Sequence, residues 1–251
     1  MNAAAAIVRT YWLESKLEFL KNLRLPVFSL STLLFPVMFY LMFGLAFGGG
    51  PIGSVPRPLY FAVAYSAFGV VGACLFGFGA NVATERGQGW MLLRRAFPAP
   101  PFAYFVAKMF MATAFSLAII VILLVLAVLA GGASLGFADL ARVVPLLLAG
   151  TLPFSAMGLA LGYLCGPNSA PAVINLVYLP MAFAGGMWIP LEFLPSTIQA
   201  IAPYLPTYHY AQLALGGVGA GDGDVAGHLV VLGLVTVACL ACASVFYYRK
   251  P

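Results

Sequence analysis

The sequence predicts an all-α polytopic membrane protein with six transmembrane helices, and two observations lead to this fold class. Of the 251 residues, 63% are hydrophobic and only 8% are charged, whereas a soluble domain carries about 25% charged residues. The apolar residues fall in charge-free stretches of about 20 residues, the length that a helix needs to cross a bilayer. This composition excludes an ordinary soluble enzyme, a disordered chain and a disulfide-stapled secreted module.

The six spans are bounded by charged residues and by glycine and proline turns. The first precedes a Gly-Gly-Gly-Pro turn, the second ends before Glu85, and the third precedes a Gly-Gly pair. The uncharged stretch 143–191 is about twice the length of a span, and the turn at Gly166-Pro167 divides it. Gly158, Gly162 and Gly166 form a small-xxx-small ladder there, which predicts close helix packing. The predicted spans are residues 25–47, 59–82, 109–130, 143–164, 172–188 and 225–248.

The distribution of charge predicts the orientation of the chain. The formal net charge is +5, and ten of the 12 basic residues lie on the side that holds both termini. Only Arg57 and Arg142 lie on the other side. Cytoplasmic loops carry the excess of Lys and Arg, so both termini are expected in the cytoplasm. Because this excess orients the loops, we expect no nucleic-acid partner.

Residues 1–24 are too charged to insert and are predicted to form an amphipathic helix. Five apolar residues share one helical stripe, whereas Glu14 and Lys21 lie opposite it. This pattern favours a helix in the cytoplasmic membrane interface, and a helix packed on the underside of the bundle fits it equally well. The stripe consists of Val8, Tyr11, Trp12, Phe19 and Leu23.

The loop 85–101, between the second and third spans, contains a short amphipathic helix flanked by charged residues. Trp90, Leu93 and Phe97 form its apolar face, and Pro98 begins the proline-rich stretch that ends it. A helix this short is not stable alone, so an apolar ridge framed by arginines favours a docking element for a cytosolic partner. A solvated loop that only obeys the positive-inside rule is an equal alternative.

Residues 189–215, before the last span, are apolar and aromatic but are interrupted by prolines. Such a segment cannot span the bilayer, yet it is too hydrophobic for an ordinary loop. It is therefore predicted to form re-entrant or interfacial helices on the outer side. In that position it would cap a cavity from outside.

These segments together resemble the permease subunit of an ABC-2 type exporter, the type V architecture of ABC transporters. The loop pattern of that family is matched by Glu85-Arg86, Gly89-Trp90, Leu92-Leu93-Arg94, Pro98 and Lys108. Its outer pattern is matched by Gly186, Pro190-Leu191-Glu192, Leu194-Pro195, Pro206 and Tyr208. The resemblance covers nearly the whole chain. Gly87-Gln88 departs from it, because many relatives carry a further charged pair there.

The resemblance implies a function, partners and a location. It implies a permease in the bacterial inner membrane that exports a drug, an antibiotic or a similar amphipathic compound by alternating access. It also implies a second permease copy or paralogue, surrounding membrane lipids, and two cytosolic ABC ATPase subunits that bind ATP and Mg²⁺. The sequence contains no Gly-x-x-x-x-Gly-Lys-Ser/Thr phosphate loop. ATP hydrolysis is therefore expected on a separate polypeptide.

Three sets of site residues follow from the resemblance as expectations. The coupling helix would contact the ATPase through Glu85, Arg86, Gly89, Trp90, Leu93, Arg94, Arg95 and Pro98. The path between the second and fifth spans would be lined by Tyr65, Phe68, Phe76, Asn175, Tyr178 and Phe183. The outer gate would comprise Pro190, Glu192, Pro195, Pro206, Tyr208 and His209. An aromatic path without charges suits an amphipathic compound, and simple packing is the alternative for each aromatic.

Other functions stay open at this point. Within the same class, the substrate could be a lipid or a lipid-linked glycan. Cys239 and Cys242 form a CxxC motif that a membrane thiol–disulfide carrier would use, but they lie mid-helix without a basic neighbour. A channel or secondary transporter is a further alternative, although the spans lack charges at their centres. We expect neither a catalytic nor a metal site, since His209 and His228 are the only histidines.

Overall fold

The computed structural model describes residues 3–46, 49–96, 100 and 102–249. Their regular structure is helical apart from one isolated bridge between Ile52 and Val55, so the predicted all-α fold is confirmed. The helices are α1 Ala3–Leu23, α2 Pro26–Phe39, α3 Arg57–Cys74, α4 Asn81–Gly87, α5 Trp90–Arg95, α6 Ala103–Leu129, α7 Phe137–Ala149, α8 Thr151–Leu164, α9 Ala170–Ala184, α10 Ser196–Ile201, α11 Pro206–Gly216 and α12 Val225–Arg249.

Two π-helices and two 3₁₀ turns complete the described elements. The π-helix Tyr40–Ala46 extends α2, and the π-helix Leu75–Ala80 joins α3 to α4 without a break. The 3₁₀ turns Leu191–Phe193 and Ala202–Tyr204 flank α10. A π-helix within a longer helix widens one turn and is frequent at functional sites.

Five helical runs in the described residues are long and apolar enough to cross a membrane. They match five of the six predicted spans. Three of them start before the predicted limits, because the charged residues Arg57, Lys108 and Arg142 lie inside the helices. The runs are Pro26–Ala46, Arg57–Gly87, Ala103–Leu129, Phe137–Leu164 and Val225–Tyr247.

The fifth predicted span, residues 172–188, is shorter in the structure. α9 has 15 residues and is about 22 Å long, whereas a bilayer core is about 30 Å thick. The helix ends before Gly185, and Gly186 has φ +77°, a left-handed conformation that glycine adopts without strain. The chain therefore turns back four residues earlier than the sequence predicted.

α3 is the central helix of the bundle. In the run Arg57–Gly87, which contains α3, 94% of the most apolar stretch is buried inside the bundle. The buried share of the corresponding stretch is 17% in Pro26–Ala46 and in Val225–Tyr247. A helix that is apolar on all sides suits a position surrounded by other helices. The first and last runs lie at the periphery and leave apolar faces uncovered by this chain.

Two glycines of α8 lie directly against the second π-helix. A Cβ atom at Gly158 would lie 2.9 Å from the carbonyl oxygen of Cys74, and one at Gly162 would lie 2.8 Å from that of Gly79. Side chains larger than hydrogen do not fit at such a backbone approach. The predicted close packing is thus present at two positions of the glycine ladder, whereas Gly166 lies in the turn after α8.

α1 packs on α6 and leaves one apolar face exposed. Its Phe19 ring lies 5.6 Å from that of Phe115, and its Trp12 ring lies 6.2 Å from that of Phe110. The polar Asn22 is buried against the bundle. Several apolar side chains of α1 are nevertheless exposed, namely Ile7, Val8, Trp12, Leu13, Leu17 and Leu23. The helix is therefore packed on the bundle, and its outer face has the character that an interfacial position requires.

Candidate functional site

Charged residues of α1, α4 and α6 meet in one place, here named the base cluster: Glu18, Lys21, Glu85, Tyr104 and Lys108. The Nζ atom of Lys108 lies 2.7 Å from Glu18 Oε1 and 3.0 Å from Glu85 Oε1. Tyr104 donates its hydroxyl hydrogen to Glu85 Oε2 at 2.6 Å. Lys21 forms ion pairs with Glu18 and with Glu85. Three helices are thus joined by two carboxylates and two ammonium groups.

The charges of the base cluster are balanced. Lys108 is 0% exposed, and a lysine is almost never fully buried unless it is paired. Burial acts to lower the pKa of Lys21, but the carboxylates of Glu85 and Glu18 outweigh it, so the pKa is raised. Glu18 and Glu85 therefore stabilise the charged form of Lys21, and the same two acids pair with Lys108.

An amide contact extends the junction between α1 and α4. Asn81 donates its Nδ2 hydrogen to Asn22 Oδ1 at 2.8 Å. Asn22 in turn donates from Nδ2 to the carbonyl oxygen of Glu18 at 2.9 Å. Because α4 continues α3 without a break, α1 is fixed to the foot of the central helix.

α5 turns away from α4 at a glycine and presents an apolar pair. Gly89 has φ +77°, a conformation that favours glycine over other residues. Trp90 and Leu93 are 54% and 53% exposed. Arg94 forms an ion pair with Glu14 of α1. The predicted coupling residue Pro98 and the side chain of Arg95 lie outside the described residues, as does Phe97.

Arg86 caps the end of α8. It donates from Nη1 to the carbonyl oxygen of Tyr163 and from Nη2 to that of Cys165, both at 2.6 Å. The last carbonyl groups of a helix lack intrahelical partners and carry partial negative charge. The guanidinium group satisfies two of these acceptors and joins α4 to α8.

The predicted coupling residues thus divide into two groups. Trp90 and Leu93 face outward, whereas Glu85, Arg86 and Arg94 contact other parts of the same chain. A role in contacting an ATPase stays a prediction for all of them.

The predicted path residues of α3 and α9 pack against each other. Phe68 and Tyr178 are stacked, with ring centroids 4.9 Å apart and an interplanar angle of 12°. Tyr178 donates its hydroxyl hydrogen to the carbonyl oxygen of Phe68 at 2.7 Å, and Tyr65 donates to that of Trp188 at 2.9 Å. Tyr65, Phe68 and Tyr178 are buried. In this conformation they fill the space between α3 and α9 and do not line an open channel.

The other three path residues lie nearer the surface. Phe76 meets the edge of Tyr178 at 6.2 Å, and Phe183 lies 6.0 Å from Trp188. Asn175 is exposed on α9. A polar side chain on the outer face of an otherwise apolar helix favours contact with another protein surface.

A separate apolar groove of about 590 Å³ opens between α6, α8 and α12. Its walls include Phe105, Leu159, Tyr163 and Leu240, and Ser155 adds a hydroxyl group. All three helices belong to runs that are long enough to cross a membrane. The groove therefore opens sideways, toward the surroundings of the bundle.

The predicted outer segment folds back onto the bundle through hydrogen bonds. Thr207 donates to the carbonyl oxygen of Met181 at 2.5 Å, and Tyr210 donates to that of Leu147 at 2.5 Å. These contacts fix α11 to α9 and α7. Of the predicted gate residues, Pro190 is buried, Pro206 and Tyr208 are half-buried, and Glu192 and Pro195 are exposed. Their role as a gate stays a prediction.

His209, the last predicted gate residue, has partners that the sequence did not indicate. Its Nδ1 atom lies 2.9 Å from Nδ1 of His228 on α12, and its Nε2 atom lies 2.9 Å from the carbonyl oxygen of Pro203. His228 Nε2 lies 2.8 Å from Asp222 Oδ1. The two histidines of the chain therefore meet at the end of the bundle opposite α1.

Sequence reasoning did not bring Glu18 and Lys108 together: Glu18 was not singled out, and Lys108 was named only as the last residue of the loop pattern. Lys108 was assigned to a loop because the third span was predicted to begin at residue 109. Its position among apolar residues was the signal, because a charged residue within such a run is expensive and marks a functional site.

Comparison with known proteins gives two findings. A family model described as ABC-2 family transporter protein matches residues 54–245. A protein of Bacillus subtilis (strain 168) assigned as a transport permease, YvfS, is 27% identical over 197 residues, which cover 78% of this chain and 80% of that protein. The family match spans α3 to α12 and leaves α1 and α2 outside.

Proposed function

Since the chain belongs to the ABC-2 family of transporter proteins, we propose that it is the permease of an ATP-driven exporter for amphipathic organic compounds such as drugs or antibiotics. The membrane subunits of this family work with ATPase subunits. In the proposal, two cytosolic ATPase subunits bind ATP and Mg²⁺, and a second permease copy or paralogue completes the assembly. The bacterial inner membrane is the proposed location, with both termini in the cytoplasm.

The observation that carries the proposal is the exposed pair Trp90 and Leu93 on an anchored helix. Exposed tryptophan and leucine side chains on a six-residue helix suit burial in a partner groove, where aromatic anchors contribute most of the binding energy. Glu14 fixes the far end of the helix through Arg94, and the turn at Gly89 fixes the near end. A push on α5 would therefore reach the bundle instead of only bending a loop.

The base cluster provides the route for that push. Arg94 contacts α1 through Glu14, and its guanidinium carbon lies 4.8 Å from the centre of the Tyr104 ring on α6. Lys108 then joins α6 to Glu85 at the foot of the central helix. ATP-driven closure of the partner subunits would move α1, α4 and α6 together, which is a rigid-body type of switch.

The substrate class rests on the aromatic contact between α3 and α9. Phe68 and Tyr178 lie face to face, and the sequence has no charged residue between Arg57 of α3 and Glu85 of α4. If α9 moves away from α3, it exposes aromatic faces and a hydroxyl group. Such a surface suits a compound with an apolar body and few polar groups.

The test is co-purification of the ATPase with the permease. The permease is expressed with the ATP-binding subunits of its own host, and the ATPase that it retains is measured. The double substitution Trp90→Ala, Leu93→Ala is expected to lower that amount at least about tenfold, since burial of each such side chain contributes about 1.5–3 kcal/mol. Phe137→Ala is the matched control, because Phe137 is an exposed aromatic at the opposite end of the bundle. Equal retention by both variants would overturn the assignment of α5.

The sideways groove favours a second substrate class, a lipid or a lipid-linked glycan. Its apolar walls and its opening between membrane-length helices suit an acyl or polyprenyl chain. The two classes are separated by the ATPase rate of the complex in lipid nanodiscs. Stimulation by amphipathic drugs supports the first class, and stimulation only by a lipid-linked glycan supports the second.

A further inference from the structure

The two histidines at the α11 end of the bundle belong to a linear series of three hydrogen bonds. In order, its atoms are the Pro203 carbonyl oxygen, the two nitrogens of His209, the two nitrogens of His228 and a carboxylate oxygen of Asp222. The three contacts are 2.9, 2.9 and 2.8 Å long. His228, at the centre of this chain of hydrogen bonds, is only 4% exposed, so water has little access to its imidazole ring.

The acceptors at the two ends of this hydrogen-bonded series determine which imidazole nitrogens carry protons. The carbonyl oxygen of Pro203 accepts only, so His209 Nε2 must carry a proton. The carboxylate of Asp222 also accepts, so His228 Nε2 must carry a proton. The contact between the two Nδ1 atoms needs one further proton between them. Three hydrogen bonds thus require three protons on two imidazoles, one more than two neutral rings hold.

The extra proton has a counter-charge. His228 with two protons is an imidazolium, and Asp222 faces it as an ionised carboxylate. Burial acts to raise the pKa of Asp222, but the Asp224 backbone N–H and the His228 imidazole outweigh it, so the pKa is lowered. The other ionisable neighbours are Tyr208, whose ring lies 6.1 Å from that of His228, and Asp224, which accepts from the Gly227 backbone N–H at 3.0 Å.

We propose that His209, His228 and Asp222 form a proton-dependent latch that holds the start of α11 to the start of α12 only while the two imidazoles share three protons. A fourth proton brings two N–H groups face to face at the Nδ1 contact. Loss of the third proton leaves two acceptors facing each other at one of the three contacts. Either change turns an attractive contact into a repulsive one. The latch is a property of this chain and does not depend on the transported compound.

Selective labelling gives a direct test, because the chain contains only two histidines. The full-length protein with ¹⁵N-histidine, in lipid nanodiscs, presents four imidazole nitrogens to NMR. Between acid and alkaline pH we expect a plateau with three protonated nitrogens and one bare nitrogen, the Nδ1 of His209. Coupled sites titrate in two separate steps. Two rings that each lose one proton independently, with no such plateau, would overturn the proposal.

Amide hydrogen exchange tests the mechanical consequence. After correction for the intrinsic effect of pH, the starts of α11 and α12 should be most protected on the plateau and lose protection about tenfold on either side, as expected for one lost charged hydrogen bond.

His209→Asn places an amide oxygen near the Nδ1 position and should remove the acid step alone. Asp222→Asn should move the alkaline step to lower pH. Asp139→Asn, at a carboxylate that caps α7, is the control and should change neither. Identical profiles in all four proteins would contradict the latch, and the NMR count on the unaltered chain stands even if a variant fails to fold.

Discussion

Lys108 on α6 and Glu18 on α1 form an ion pair of 2.7 Å in which the lysine is completely buried. Glu85 lies 3.0 Å away from the same ammonium group, so one cation serves acids from two helices. Removal of one member of a buried pair is costly because it leaves uncompensated charge inside the protein. The attachment of α1 to the bundle therefore depends on a small number of atoms.

Replacement of Lys108 is expected to destabilise the protein strongly. Lys108→Met removes the buried one of the two cations that Glu18 and Glu85 share, and leaves only Lys21 to balance two carboxylates. A loss of about 3–5 kcal/mol is expected. Thermal unfolding of the purified protein in detergent measures the effect. Lys16→Met is the control, since Lys16 is exposed on α1 and makes no ion pair among the described residues. An unfolding temperature that the Lys108 substitution leaves unchanged would show that the cluster does not hold α1.

Reversal of the Arg94–Glu14 pair is expected to separate ATP hydrolysis from transport. Arg94→Glu places two carboxylates together and should lower transport per ATP hydrolysed about fivefold, the factor that corresponds to about 1 kcal/mol for a partly exposed pair. The second substitution Glu14→Arg restores opposite charges and should recover most of the loss. Transport and hydrolysis are measured together in proteoliposomes. A double variant that is as impaired as the single one argues against transmission through this pair.

The glycine contact between α8 and the second π-helix predicts unequal effects of two identical substitutions. Gly162→Ala puts a methyl group 2.8 Å from the carbonyl oxygen of Gly79, and overpacking of this kind costs about 1–3 kcal/mol. Gly166→Ala, at the third ladder position, brings its Cβ no closer than 3.5 Å to a neighbouring atom. It should be nearly neutral. Unfolding of the two variants side by side provides the measurement, and equal losses would contradict the packing described.

Alkaline pH is expected to loosen α1. The pKa of Lys21 is raised by Glu85 and Glu18 against the opposing effect of burial. Because the pKa of Lys21 is raised in the folded state, its ion pairs contribute their full stabilisation at pH values below the ordinary pKa of 10.5. This contribution is lost as the pH rises through the folded-state pKa. Emission of Trp12, in a variant with Trp90 and Trp188 replaced by Phe, reports the change. Lys21→Met should abolish the alkaline step, whereas Lys16→Met should retain it.

The membrane-length helices were predictable because their signal is local. A charge-free run of about 20 residues identifies a span without knowledge of its neighbours, and five such runs reappear as helices. The ends of the spans were less predictable. Lys108 is buried and has two acidic partners, but in the sequence a lysine beside an apolar run indicates the edge of a loop. α9 shows the opposite error, since an apolar run continues past Gly186 after the helix has ended.

The pairings between distant residues could not be predicted from one sequence. Glu18 and Lys108 are 90 positions apart, and His209 and His228 are separated by a turn and part of a helix. Composition and periodicity carry no information on which residues meet across such distances. The apolar ridge of α5 was predictable because Trp90 and Leu93 are neighbours on one short helix.

The unbroken helical rod from Arg57 to Gly87 has a mechanical consequence. Its 31 residues extend about 45 Å, half as long again as the hydrocarbon layer, which is about 30 Å thick. A rod that overhangs the layer can act as a lever whose pivot is Gly79, where α8 packs against it, closer to the Gly87 end than to the Arg57 end. A tilt of about 10° would swing one tip relative to the other by roughly 8 Å for a rod of this length. A small displacement of the Gly87 end of the rod would therefore produce a larger displacement of its Arg57 end, on the opposite side of the membrane.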